Sequence, residues 1–61
     1  MTPEAIKSFR ESRTWSQQRL AEELGIDQAT VSRIERGAAQ PSGPVARLLE
    51  RMMNAPEGEA A

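Results

Sequence analysis

The segment from Gln17 to Gly37, QQRLAEELGIDQATVSRIERG, constrains the fold more than any other part of the chain. It reads as two short helices joined by a turn on Gly25, with the small Ala21 in the first helix and Val31 in the second. A small residue at the crossing, and a glycine free to take a left-handed backbone, let two helix backbones approach closely at a sharp angle. Such a corner pushes its second helix outward from the body of the domain.

The flanking sequence supplies the elements around that corner. Thr2 offers a hydroxyl cap, Pro3 suits a first helical position where its missing N–H costs nothing, and Glu4 favours the positive end of the dipole. A helix is predicted over 3–12, with Ala5, Ile6 and Phe9 on one face and Trp15 in the following bend to close over them. Ser16 caps a second helix over 17–24, whose buried stripe is Leu20, Ala21 and Leu24. Arg19 stands where a capping box would hold Glu or Gln, so that reciprocal bond is lost. Gly25 ends the helix, Ile26 plugs the corner and Asp27 caps a third helix over 28–36. At about 100° per residue, Val31 and Ile34 point one way while Gln28, Ala29, Ser32, Arg33 and Arg36 fan over the opposite arc. Gly37 stops that helix, and a loop containing Pro41 leads to a fourth over 44–53, where Val45, Leu48, Leu49 and Met52 fall at i, i+3, i+4 and i+7. Residues 54–61, NAPEGEAA, show no periodicity and read as a flexible acidic tail beyond a domain of residues 1–53. The expected fold is all-α, a compact four-helix domain.

Composition removes many functions. Sixty-one residues make one domain at most, near the size where a single core only just holds a fold. With neither Cys nor His in the chain, disulfides, thiolate chemistry and imidazole metal sites are excluded. Glu4, Glu11 and Glu50 are scattered over helical surfaces without a nucleophile, so no enzyme, cofactor or metal is expected. No apolar run nears the roughly 20 residues of a membrane span, and the start lacks a signal peptide's basic and apolar regions, so a cytoplasmic protein is expected. The net charge of −1 disfavours a polyanion partner. Distribution matters more: with Glu57 and Glu59 in the tail set aside, eight basic residues face seven acids.

Ser16-Gln17, Leu20-Ala21, Leu24-Gly25-Ile26, Val31-Ser32, Ile34-Glu35-Arg36-Gly37 and Pro41 together resemble the Cro and lambda-repressor type of helix-turn-helix family, also called XRE-like, over roughly Ile6 to Leu49. The resemblance implies a lambda-repressor-like DNA-binding domain whose third helix lies in the major groove of double-stranded DNA. Gln28 then suits a bidentate amide contact to adenine, Arg33 the O6 and N7 of guanine, Ala29 a thymine methyl, and Ser32 a base or a phosphate. Ser16 and Gln17 at the start of the second helix, Arg36, Gln40 and Ser42 around the following loop, and Arg13 and Arg19 as outer contacts would hold phosphates. The resemblance further implies a salt bridge between Arg10 and Glu35 that fixes the tilt of the reading helix. Members commonly continue into a fifth helix. Here Val45, Leu49, Met52 and Met53 are the expected interface of a homodimer, which would set two reading helices about 34 Å apart on a near-palindromic operator. The function implied is a dimeric repressor or autorepressor, without a separate sensing domain, of the kind carried by phages and other mobile elements or associated with anti-CRISPR systems. The alternative is a protein-interaction module, such as a toxin–antitoxin regulator binding a partner protein.

Overall fold

In the computed structural model, which describes residues 1–55, four helices follow in the order α1 (Pro3–Ser12), α2 (Gln17–Leu24), α3 (Gln28–Glu35) and α4 (Gly43–Asn54). Residues 56–61, most of the expected tail, lie outside the described part. Three helix starts are capped by the residues expected. Thr2 Oγ1 accepts from the Ala5 N–H at 3.1 Å, Ser16 Oγ from Arg19 at 3.1 Å, and Asp27 Oδ1 from Thr30 at 3.2 Å. Each cap satisfies one of the amides that a helix start leaves without an intrahelical partner.

The chain reverses through left-handed residues. Gly25 (φ 72°) ends α2, and the Ile26 N–H closes the corner onto the Ala21 carbonyl at 3.0 Å. A Cβ at Gly25 would meet no atom within 4 Å, so this glycine serves the backbone angle alone. The close approach expected of the pair falls to Ala21, which is buried between α2 and its neighbours. Gly37 (φ 77°) turns the chain after α3, where the Ala38 N–H reaches the Arg33 carbonyl at 2.8 Å. This turn takes over one residue earlier than the sequence predicts: Arg36 is the C-cap of α3, not part of the helix. Thr14, between α1 and α2, also has a positive φ of 57°. A β-branched residue there carries strain that glycine would not.

Ile6 of α1, Leu20, Ala21 and Leu24 of α2, Val31 and Ile34 of α3 and Leu49 of α4 make one buried core. Phe9, Trp15, Ile26, Ala39, Val45, Leu48, Met52 and Met53 pack around it. The Phe9 and Trp15 rings meet edge to face, 5.9 Å apart, closing the cluster beneath the α1–α2 bend. Leu49 has no exposed surface at all, which corrects its assignment to a dimer interface: it is a central core residue. Val45, Met52 and Met53 are half-buried against their own core. α4 begins at Gly43 and ends at Asn54, one residue beyond the predicted span at each end, with Ser42 as its N-cap and Ala55, whose N–H bonds the Arg51 carbonyl, as its C-cap. No helix among the described residues is long and apolar enough to cross a membrane.

Candidate nucleic-acid interface

The corner formed by α2 and α3 presents the outer arc of α3 to solvent. Gln28, Ala29, Arg33 and Arg36 are exposed and Ser32 is half-exposed, while Val31 and Ile34 fill the core behind them. The arc is partly ordered before any ligand arrives. The Asp27 carboxylate accepts from both the N–H and the hydroxyl of Thr30, and Arg33 Nη2 reaches the Thr30 Oγ1 at 3.3 Å. Those Thr30 bonds hold the Asp27 carboxyl below its ordinary value, and it stays a charged cap at the positive end of α3. Arg36 Nη1 donates to Ser32 Oγ at 3.0 Å, so the two form a second row along the arc.

Behind α3, Glu35 turns inward and meets Arg10 of α1. Arg10 Nε donates to Glu35 Oε2 at 2.7 Å and Nη2 to Oε1 at 3.1 Å, a two-pronged ion pair whose side chains are 12% and 3% exposed. The third nitrogen, Nη1, donates to the Trp15 carbonyl at 2.8 Å, and Gln17 Nε2 adds a bond to Glu35 Oε1 at 3.1 Å. One guanidinium and one carboxylate therefore join α1, the α1–α2 bend, the first residue of α2 and the last of α3. Burial pushes the Glu35 carboxyl up. The hydrogen bonds from Arg10 and Gln17, with the positive charges of Arg10 and Lys7, outweigh that push and leave it lowered from the ordinary 4.5. The bond to Glu35 likewise raises the Arg10 guanidinium. No buried side-chain polar atom among the described residues lacks a hydrogen-bond partner.

Several residues expected at phosphates are placed differently from one another. Gln17 begins α2, but its side chain folds back to Glu35; the backbone N–H groups of Gln17 and Gln18, at the first two positions of the helix, have no intrahelical acceptor. Ser16 is spent capping Arg19. Arg19 lies over the Trp15 ring, 5.1 Å from its centroid, and pairs with Glu23 at 3.0 Å on an exposed face. Gln40 and Ser42 are exposed in the α3–α4 loop. Arg13, expected as an outer phosphate contact, reaches toward α4 in this structure. Its Nη2 donates to the Met52 and Ala55 carbonyls at 3.3 and 3.5 Å, and its guanidinium stands 4.9 Å from the Phe9 ring centroid. It holds the carbonyl end of α4, where a cation meets the last carbonyls and the negative end of the dipole.

The sequence reading passed over Lys7, whose charge acts on Glu35, and Arg47 and Arg51, which border a groove of about 420 Å³ with Gly43, Pro44 and Leu48. The two arginines lie four residues apart on the face of α4 opposite Val45 and Leu49, a spacing visible in the sequence.

A short glycine corner, an outward helix with polar and cationic residues on its free arc, and an ion pair bracing that helix from behind define a helix-turn-helix protein of the DNA-binding class. Comparison with protein families gives the same result, a model described as helix-turn-helix matching residues 6–59. The chain belongs to this helix-turn-helix family, the Cro and lambda-repressor type, whose members are DNA-binding transcription regulators. Neither the curated proteins nor the solved structures contain a match to it.

Proposed function

We propose that this regulator is a repressor that occupies operator DNA as a homodimer, with α3 in the major groove. Gln28, Ala29, Ser32 and Arg33 read base edges. The backbone amides at the start of α2, together with Arg19, Arg36, Gln40 and Ser42, take phosphates. The observation that carries this reading is the division of α3: its inner face is wholly buried, and its outer arc has no part in the core. The Thr30 bond draws Arg33 along that arc, which lowers the entropy lost when its planar fork engages a guanine.

The dimer would use the half-buried Val45, Met52 and Met53 without Leu49. In this reading the protein acts in a phage or other mobile-element setting, at a cytoplasmic site close to the chromosome. Net charge near zero gives weak non-specific attraction, so recognition rests on specific contacts and on pairing two half-sites.

Binding-site selection from random duplex DNA tests the proposal. The expected result is a two-fold repeat with half-sites about 10 base pairs apart, centre to centre, and binding that weakens steeply with added salt. Selected sites without a repeat, together with light scattering showing only monomer, would refute the dimer. Failure to enrich any sequence would refute operator recognition.

A further inference from the structure

The Gln17–Glu35 hydrogen bond lies at a mechanically special place. Gln17 is the first residue of α2 and Glu35 the last of α3, so the two are the far ends of helices joined covalently at the Gly25 corner. A bond between far ends closes a triangle. For eight-residue helices, each about 12 Å long, a change of one ångström in that third side alters the angle at the corner by roughly 5°.

We propose that Gln17 is a positioning residue. Its side-chain amide is the strut that sets the angle between the phosphate-facing start of α2 and the base-reading helix α3, and DNA contact at this position is left to the main chain. The inference rests on the DNA-binding reading above and assigns the side chain of Gln17 a different task from phosphate contact.

Three observations support the strut. Its anchor is rigid, because Arg10 grips both oxygens of Glu35 and holds the Trp15 carbonyl, next to the Ser16 cap, with its remaining prong. Its anchor is dry, with the Glu35 side chain 3% exposed, so water is poorly placed to substitute for the amide. Its chemistry is specific: the amide brings a neutral donor to a carboxylate, where Glu at the same length would add a repelling charge and Met would bring no donor. One residue thereby has two tasks, its N–H among the helix-start amides without an intrahelical acceptor and its side chain turned to Glu35. A reading surface held only by the flexible corner would lose the definition that base contacts need.

The test compares Gln17→Met and Gln17→Lys with the unaltered protein, on a duplex recovered by site selection and on random-sequence duplex. Gln17→Met should weaken binding to the selected duplex about 10-fold and to random duplex by under about 2-fold, with the salt slope unchanged. Gln17→Lys, which returns a donor to Glu35, should restore the preference. Losses of equal size on both duplexes would make the side chain a phosphate ligand, which positions without reading sequence, and overturn the proposal. Residual dipolar couplings of the free protein supply a measurement that needs no DNA. The α2–α3 angle should shift or broaden in Gln17→Met, and an unchanged angle overturns the strut. An unaltered protein showing no preference between duplexes would instead refute operator recognition, leaving the angle measurement to decide on the strut.

Discussion

Replacing Arg10 with methionine keeps most of the side chain's apolar stem and removes three hydrogen bonds at once, two to Glu35 and one to the Trp15 carbonyl. Glu35 would be left a nearly inaccessible carboxylate supported by Gln17 alone. Losing one partner of a buried ion pair costs about 3–5 kcal/mol, and the partial exposure of Arg10 places this case near 3. A domain of this size has roughly 3–9 kcal/mol in total. The melting midpoint near neutral pH should therefore fall by roughly 12–24 °C, measured by circular dichroism. The pH dependence tests the cause. In the unaltered protein the Glu35 carboxyl lies below its ordinary value, so its stabilising contribution is complete above about 4.5 and is lost as pH falls through the folded value. In Arg10→Met burial acts almost unopposed, the folded carboxyl rises above its unfolded value, and protonation relieves the penalty. The two stabilities should converge as pH falls below about 4.5 and through the lowered folded value, and adding Glu35→Leu to Arg10→Met should recover much of the loss. A deficit constant between neutral and acid pH would refute the electrostatic reasoning and leave lost packing as the cause.

Other expected outcomes follow from single contacts. Thr14→Gly relieves a left-handed β-branched residue and should raise stability by about 1 kcal/mol in urea unfolding, less any entropy glycine returns to the unfolded chain. Arg13→Ala frees the Met52 and Ala55 carbonyls and uncovers Phe9, and should cost about 1–2 kcal/mol with faster hydrogen exchange confined to the last turn of α4. Arg33→Ala should leave the melting midpoint unchanged and lower affinity by about 1–3 kcal/mol with relaxed preference at one base pair, measured on an operator-variant series.

Local chemistry was the legible part of this fold. The caps Thr2, Ser16 and Asp27 and the left-handed Gly25 and Gly37 each depend on neighbours within a few residues, and the inward positions Leu20, Val31 and Ile34 follow from helical period. Long-range side-chain destinations were less so. Arg13 looks from the sequence like any surface cation, and only the docking of α4 brings the Met52 carbonyl within its reach, 39 residues on. The stripe on α4 was visible, but a stripe does not say whether its own domain or a second copy covers it, and Leu49 proved to be covered from within. Gln17 was placed at a helix start correctly; which way its amide would turn depended on the position of Glu35, settled by Arg10 on a third helix.

The separation of the two faces of α3 has a consequence for how such a protein changes over time. Val31, Ile34 and Glu35 hold the helix to the domain, while Gln28, Ala29 and Arg33 touch neither the core nor the bracing pair. Substitutions at those three exposed positions are thus nearly free of folding cost. A lineage could exchange its target sequence in single steps, each intermediate still folded, and a designer could randomise the same positions on an unaltered scaffold.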